Sequence, residues 1–272
     1  MSGFSVLLPV YAGDSPEFLE RSVRSVTADQ TRKPDQLVIV QDGPVPPALE
    51  QTIERCVRTG VPTKLVILPC NVGLARALTR GLRACRFDIV ARQDADDVSL
   101  PQRFERQIPL LEGGAELVGT AIAEFSDEAA PGLVRYQPLT RAQIAKVLAF
   151  RDPFNHPSVA FSKAAVERCG GYQHLDLMED YWLFARMVKA GVTCLNLPDV
   201  LVLYRVGAGA YRRRGGVRLL RSELKLQENL RKARIVSGPV ALRNVVVRGG
   251  YRFVPTSLRK AAYQGALKLR RR

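Results

Sequence analysis

The first 125 residues alternate between short apolar runs and segments whose apolar residues recur at helical spacing. Four apolar runs predict buried strands, at FSVLLPV (4–10), QLVIVQ (36–41), TKLVIL (63–68) and FDIVARQ (87–93). Helical patterns lie between them, around Phe18 to Val26, at 47–59 and at 72–85. This alternation predicts an α/β fold, a Rossmann-like and mostly parallel central sheet with helices on both faces.

The later part of the chain has a looser pattern. It predicts a strand at 116–125, a helix near 141–150, a turn and short strand at 154–161, and helices near 162–169 and at 178–191. From about residue 207 the chain is basic and rich in helical pattern. We therefore expect one domain at 1–206, with halves at 1–100 and 101–206, and a basic helical extension at 207–272.

Charge and cysteine content narrow the class of protein. The five cysteines are scattered and form no C-x-x-C pair, so neither a disulfide framework nor a zinc site is indicated. The start of the chain lacks the pattern of a signal peptide and no apolar run has spanning length, so we expect a cytoplasmic protein. Residues 205–272 hold 19 Lys/Arg and 2 Asp/Glu, a net charge of +17, which leaves −2 for 1–204. This segregation predicts an anionic partner for the tail, either a membrane surface or nucleic acid.

An acidic cluster follows the fourth predicted strand. Asp94, Asp96 and Asp97 lie at its carboxyl end, where parallel α/β sheets bind their ligands. Hard oxygen ligands in such a loop suit Mg²⁺ or Mn²⁺, which bind phosphate oxygens at the same time. The alternative is a polar turn in which Asp97 or Ser99 caps a helix.

Asp42 ends the second predicted strand, so it should face the same cleft as the acidic cluster. There it could accept a hydrogen bond from a nucleobase N–H, although an aspartate at this place is, taken alone, more often a turn residue. Asn71 stands near the start of the third predicted helix, and Arg76 and Arg80 follow one helical turn apart. Arginines at this spacing could reach a diphosphate, or they could form a solvated helix face.

Two further sites carry chemistry in the later part of the chain. Glu179 and Asp180 begin a predicted helix, where the helix dipole stabilises negative charge. The functional alternative is a carboxylate that acts as general base toward an acceptor hydroxyl. His156 precedes Pro157 in a predicted turn and is either a structural residue or a further candidate metal ligand.

The motifs, taken in order, resemble a known enzyme family. They are VLLPVY, VIVQDGP, NVGLARAL, ARQDADD, FNHPSVAF, GGY and MEDYWLFARM. In this order they are similar to the inverting glycosyltransferases of family 2, which have the GT-A fold. Within that family the chain resembles bacterial glycosyltransferases of amylovoran-type exopolysaccharide biosynthesis, whose pattern YRRRGG (211–216) also matches. The resemblance covers roughly residues 3–230, and it implies that 1–206 form the catalytic domain, with a nucleotide-binding half (1–100) and an acceptor-binding half (101–206).

The resemblance implies a role for each matched residue. It implies a nucleotide-sugar site formed by Pro9, Val10, Tyr11, Asp42, Asn71, Gly73, Arg76, Asp94 and Ala95. It implies that Asp96, with Asp94, binds Mg²⁺ or Mn²⁺, and that Asp180 is the catalytic base with Glu179 beside it. Gln41 stands where many members have a second acid, which leaves the nucleobase open.

The resemblance also implies the reaction. The chain lacks a Q-x-x-R-W motif, so we expect the transfer of one sugar, from a UDP-hexose to a saccharide or lipid-linked saccharide.

A predicted amphipathic helix near the end carries Leu258 and Leu269 on its apolar face and basic residues on the other. We therefore expect peripheral binding to the inner face of the cell membrane. The sequence indicates no oligomeric state.

Two other functions are less consistent with the sequence. A sugar-nucleotide pyrophosphorylase should have a glycine- and arginine-rich loop after the first strand, where this chain has PVYAGDSPEF. A nucleic-acid-binding protein should interleave basic residues with stacking aromatics. Aromatic residues in the tail are few, namely Tyr211, Tyr251, Phe253 and Tyr263.

Overall fold

The computed structural model describes residues 3–58, 60–206 and 217–250. Within these ranges the strands are β1 (Phe4–Val10), β2 (Gln36–Gln41), β3 (Thr63–Ile67), β4 (Ile89–Arg92), β5 (Val98–Ser99), β6 (Leu117–Phe125), β7 (Val134–Arg135), β8 (Ala160–Ser162) and β9 (Cys194–Arg205). The helices are α1 (Pro16–Val26), α2 (Pro47–Cys56), α3 (Leu74–Ala84), α4 (Arg103–Glu112), α5 (Arg141–Leu148), α6 (Lys163–Arg168), α7 (Glu179–Lys189), α8 (Val217–Lys232) and α9 (Gly238–Asn244). A 3₁₀ turn at His156–Ser158 and a π-helical turn at Val245–Gly249 complete them.

The strands form one mixed sheet in the order β3-β2-β1-β4-β8-β6-β9-β5, with β7 paired to β6. Strands β1 to β4 are parallel to their neighbours within this group, and β9 runs parallel to β6. Strand β8 is antiparallel to both β4 and β6. The sheet is therefore continuous, and the carboxyl ends of β1, β2 and β4 meet at one edge.

Helices cover both faces of the sheet because residues along each strand alternate between them. In β1, Val6 and Leu8 pack into one cluster with helices α1, α2 and α4, whereas Leu7 packs into the other with α3 and α7. Leu226 and Leu230 of α8 belong to this second cluster. The described part of the basic extension thus packs on the same core as residues of the sheet and of α3 and α7.

The predicted fold class is confirmed, and the first four strands lie where the pattern predicts them. Several predicted boundaries differ by a few residues; for example, β4 begins at Ile89, α2 ends at Cys56 and α3 begins at Leu74. The short strands β5 and β7 and the long strand β9 were not predicted. The amphipathic helix predicted at the chain end and the YRRRGG motif lie outside the described residues. In the described ranges, no helix combines the length and apolar character needed to cross a bilayer.

Candidate active site

The carboxyl ends of three parallel strands bring the residues predicted to bind the nucleotide-sugar to one edge of the sheet. Tyr11 follows β1 and is 50% exposed, whereas Val10 at the end of that strand is buried. Pro9 is half-buried just before them. Ala95 is buried in the loop that follows β4. The resemblance-based set therefore divides into residues that reach solvent and residues that are buried at this edge of the sheet.

Asp42 is buried at the end of β2 and orders the loop before α3. Its Oδ1 accepts the N–H of Val72 at 2.7 Å, and its Oδ2 accepts the N–H of Gly73 at 3.0 Å. The amide of Asn71 donates to the carbonyl oxygen of Asp42 at 3.2 Å. Gly73 has φ +84°, a left-handed conformation that favours glycine. These bonds position the first turn of α3, on which Arg76 is exposed.

The carboxylates of Asp94, Asp96 and Asp97 converge after β4. One ligand atom from each lies within 4.8 Å of the others. Asp97 is fully buried; its Oδ1 accepts the N–H of Arg205 at 2.8 Å, and its Oδ2 has no hydrogen-bond partner among the described residues. One buried carboxylate oxygen accepts no hydrogen bond and lies beside two further carboxylates. Together these oxygens are a set of ligands that fits Mg²⁺ or Mn²⁺.

Burial and mutual repulsion disfavour the ionised forms of these groups. Burial, reinforced by the charge of Asp94, raises the pKa of Asp96, and burial with both neighbouring carboxylates raises the pKa of Asp97 well above its usual range. Asp14, in the loop after β1, belongs to the same electrostatic group: burial together with the charges of Asp96 and Asp94 raises its pKa to about 7. A bound dication would favour the ionised forms of all of these carboxylates.

A buried polar network fixes the acidic loop from behind. Arg103 of α4 is fully buried and donates to Gln93 Oε1 and Ser99 Oγ, each at 2.8 Å, and to the carbonyl oxygen of Arg92 at 2.7 Å. Gln93 Nε2 donates to the carbonyl oxygen of Asp97 at 2.9 Å. Because these buried groups satisfy one another, the loop backbone is preorganised.

Arg205 joins the end of β9 to the acidic loop. Its guanidinium lies over the rings of Phe18 and Phe125, with its carbon 3.8 and 4.4 Å from the ring centroids. Its Nε donates to the carbonyl oxygen of Asp96 at 2.9 Å. The sequence pattern did not identify this residue, because β9 itself was not predicted.

Asp180 and Glu179 lie at the start of α7, as predicted. Asp180 Oδ1 accepts the N–H of Tyr181 at 2.7 Å. Burial raises the pKa of Asp180, and the N–H of Tyr181 and the charge of Arg92 oppose this rise. Burial and the charge of Asp180 raise the pKa of Glu179 to about 7. Asp152, which the pattern did not identify, is a further carboxylate near Asp180, and burial with the charge of Asp180 raises its pKa.

Arg92, the last residue of β4, connects the acidic loop with the start of α7. It is almost fully buried, and its two terminal nitrogens donate to both carboxylate oxygens of Asp94, with Nη1 2.5 Å from Oδ2. Its positive charge also opposes the rise in the pKa of Asp180 and of Glu179 that burial causes. The structure thus brings Asp94 and Asp180, which are distant in sequence, into one electrostatic unit.

His156 has partners other than the acidic loop. Its Nε2 lies 2.9 Å from the hydroxyl of Tyr172, and its Nδ1 lies 3.8 Å from Oδ2 of Asp180. Within the described ranges, the group of three ligand-type side chains that could hold an ion consists of Asp94, Asp96 and Asp97, without this histidine.

One expectation about pH follows from the raised pKa of Asp14. A carboxylate whose pKa is higher in the folded than in the unfolded protein stabilises the fold at low pH, and this contribution is lost as the pH rises from about 4 towards 7. Without divalent cations, we expect the thermal midpoint of the wild type to fall more between pH 5 and pH 8 than that of Asp14→Asn.

Asp88→Asn is the matched control, since Asp88 precedes the opposite end of β4 and its role as acceptor for the N–H of Ala164 survives the change. Mn²⁺ should raise the midpoint of the wild type more at pH 8 than at pH 5. Identical pH profiles for the wild type and Asp14→Asn would show that Asp14 ionises at an ordinary pH.

Comparison with known proteins identifies the class that this fold and acidic loop define. A mannosyltransferase from Pyrobaculum calidifontis, solved in complex with GDP-Man and Mn²⁺, superposes with a TM-score of 0.63 at 19% identity, covering 98% of this chain and 74% of that chain. At this identity the match shows the fold alone. The mixed, mostly parallel sheet flanked by helices is that of the GT-A glycosyltransferases.

The particular family follows from sequence comparison. The family model "Glycosyl transferase family 2" matches residues 5–170, and the chain belongs to this family. It is 40% identical to the amylovoran biosynthesis glycosyltransferase AmsE of Erwinia amylovora, covering 82% of this chain and 84% of that one. It is 34% identical to the UDP-Gal:alpha-D-GlcNAc-diphosphoundecaprenol beta-1,3-galactosyltransferase of Escherichia coli, covering 97% and 96%. The predicted family and its exopolysaccharide subgroup are thereby confirmed.

Proposed function

We propose that this glycosyltransferase is an inverting, non-processive and metal-assisted enzyme that transfers one hexose from a UDP-sugar to a saccharide or lipid-linked saccharide. The observation that carries the proposal is the unit formed by the acidic loop, Arg92 and Asp180. It supplies two kinds of carboxylate that such a reaction needs, namely one group for a diphosphate-bound cation and one for proton abstraction. The UDP-Gal donor named for the Escherichia coli relative supports the choice of nucleotide.

The donor would bind at the carboxyl ends of β1, β2 and β4. Tyr11 and the loop at Asn71–Gly73 would contact the nucleoside, and the exposed Arg76 would reach the diphosphate. Asp42 retains lone pairs for a base N–H, although both of its carboxylate oxygens already accept backbone donors. Asp94, neutralised by Arg92, would lie nearer the ribose.

Asp96, with Asp97 behind it and Asp94 beside it, would hold Mg²⁺ or Mn²⁺. When bound there, the cation stabilises the negative charge that develops on the leaving diphosphate. Arg92 fits this arrangement because its bidentate contact fixes Asp94 and offsets one of the three clustered charges. The buried network around Arg103 would hold the loop in place when a cation binds and the net charge of the acidic group changes.

Asp180 would accept the proton of the attacking acceptor hydroxyl. The N–H of Tyr181 donates to Oδ1 of Asp180, and Asp180 lies at the positive end of the α7 dipole. Both interactions hold the carboxylate in one orientation for accepting the proton. Burial raises the pKa of Asp180 above its usual value, which makes the carboxylate a stronger base. Glu179, with a pKa of about 7, is the neighbouring candidate.

Incubation with a panel of UDP- and GDP-hexoses and Mn²⁺ tests the proposal. We expect one UDP-hexose to be consumed with release of UDP, faster in the presence of an acceptor and not after EDTA treatment. Equal turnover in EDTA would contradict the metal-assisted reaction.

We further propose that the enzyme works on the inner surface of the cell membrane, where a lipid-linked acceptor would be presented. Leu242 of α9 and Val246 of the π-helical turn are 66% and 64% exposed, more than any other large apolar side chain in the described ranges. Val247 beside them is 52% exposed, and Arg243 and Lys146 line the adjoining groove. An apolar surface with basic neighbours, followed by the basic residues 251–272, fits an anionic leaflet.

Removing these contacts should release the protein from membranes without stopping its chemistry. We expect deletion of residues 256–272 to reduce co-sedimentation with phosphatidylglycerol vesicles while UDP-sugar hydrolysis continues, and Leu242→Gln/Val246→Gln to reduce it further. Ile67→Gln is the matched control, because Ile67 is 62% exposed on the edge strand β3. Should the truncated double variant remain bound at moderate salt, the described surface and the tail are not the anchor.

A further inference from the structure

His156 is buried beside Asp180, and each of its ring nitrogens faces an oxygen. It lies in the 3₁₀ turn before β8, is 7% exposed, and packs against the edge of Phe184. Nε2 is 2.9 Å from the hydroxyl of Tyr172, whereas Nδ1 is 3.8 Å from Oδ2 of Asp180. The two contacts lie on opposite sides of the ring, so the tautomer decides what Asp180 meets.

The surroundings make the ring neutral. Burial, reinforced by the nearby charge of Arg92, lowers the pKa of His156 well below its usual range. Burial also raises the pKa of Tyr172, so its hydroxyl keeps its proton. A neutral imidazole carries one N–H and one lone pair. Either Tyr172 donates to Nε2, which leaves the proton on Nδ1, or Nε2 donates to Tyr172, which leaves a lone pair on Nδ1.

Electrostatics choose between these two arrangements. A lone pair on Nδ1 would face the carboxylate oxygen of Asp180 and repel it, whereas an N–H on Nδ1 attracts it. The hydroxyl of Tyr172 can donate to Nε2 as readily as it can accept from it. The arrangement with Tyr172 donating and Nδ1 protonated is therefore favoured.

We propose that His156 is a positioning residue for Asp180, with its Nδ1–H directed at Oδ2 and with Tyr172 fixing that tautomer. This proposal rests on the proposed function, since it requires Asp180 to be the base. The separation of 3.8 Å is longer than a hydrogen bond. We expect it to shorten when the acceptor binds, because hydrogen bonds of catalytic groups are often long in the free enzyme and tighten in the substrate complex. A neutral N–H orients the carboxylate while leaving its basicity higher than a charged imidazolium would.

Paired substitutions separate positioning from simple structural support. His156→Leu removes both ring contacts, whereas the side-chain amide of His156→Asn can place an N–H near the position of Nδ1. We expect kcat for sugar transfer to fall about 10–100-fold in His156→Leu, as for other hydrogen-bond partners that orient a reacting group. In His156→Asn we expect much of the rate to return, and the donor KM and Mn²⁺-dependent UDP affinity should stay close to wild type in both.

Tyr172→Phe tests the same relay without removing the ring. It deletes only the hydroxyl, so the fold should persist, and a decrease in kcat smaller than that of His156→Leu is expected. Equal kcat in the wild type and in His156→Leu would overturn the proposal.

The tautomer itself can be measured independently of any activity. The chain has two histidines, His156 and the exposed His174, so ¹⁵N labelling of histidine gives two imidazole spin systems, and His174→Gln assigns them. We expect His156 to show the Nδ1–H tautomer in the full-length protein, and Tyr172→Phe to weaken that preference. An Nε2–H tautomer would overturn the proposal. If Asp180→Asn retained full transfer while the Nδ1–H tautomer was present, the assignment of the base would fail although the relay from Tyr172 to His156 exists.

Discussion

Asp96→Ala is expected to abolish both Mn²⁺-dependent UDP binding and sugar transfer. Asp94 and Asp96 are both partly exposed, but Asp94 is held by Arg92, so Asp96 is the carboxylate that can reach a cation shared with the donor. Charge stabilisation by such a cation contributes several kcal/mol to the transition state, so we expect a loss of about 10³-fold or more in kcat/KM.

Calorimetry of UDP with and without Mn²⁺ measures the binding half of this prediction. Asp88→Ala is a suitable control, since it removes a carboxylate near the other end of β4. A normal, metal-dependent UDP affinity in Asp96→Ala would remove Asp96 from the metal site.

Asp180→Asn should lose transfer while binding Mn²⁺ and UDP normally. Asparagine preserves the size of the side chain and its contact with the N–H of Tyr181, but it cannot accept the proton of the acceptor hydroxyl. Loss of a general base typically costs about 10²–10⁴-fold in rate. Because burial raises the pKa of Asp180, the wild-type rate should fall as the pH drops through that raised value, where the base becomes protonated.

Glu179→Gln is the matched variant at the neighbouring position. It should retain substantially more transfer than Asp180→Asn, since Asp180 is the carboxylate in contact with His156. Near wild-type transfer in Asp180→Asn would place the base elsewhere, and a large loss in Glu179→Gln would then indicate Glu179.

The parallel part of the fold could be predicted because its strands obey a simple rule. Strands β1 and β2 are almost wholly apolar and are buried between two layers of helices, so a continuous apolar run marks each of them. Helix α4 was missed because Arg103 and Gln107 are buried among its core-facing positions and Pro109 lies inside it. Strand β9 was missed because Pro198 and a register shift against β6 interrupt its pattern.

The candidate site could be predicted only in part. Acidic residues at the carboxyl end of a buried strand favour a ligand site over a polar turn, which made Asp94 and Asp96 candidates. Arg92 could not be assigned, since a guanidinium reads as a surface charge until its burial against Asp94 is known. Nor could Asp14 be found, because its pKa depends on carboxylates far along the chain. Asp180 became a candidate base through the family resemblance, and its connection to Asp94 through Arg92 required the tertiary structure.

The anomeric configuration of the product is the most direct measurement on the central claim, that Asp180 directs attack from the face opposite the departing diphosphate. The reaction would contain Mn²⁺, the α-configured UDP-hexose that the enzyme consumes, and a GlcNAc-diphosphate-lipid acceptor of the kind named for the Escherichia coli relative. The proton coupling constant of the new linkage reports its configuration by NMR. The account predicts a β-linked product, and an α-linked product would contradict it.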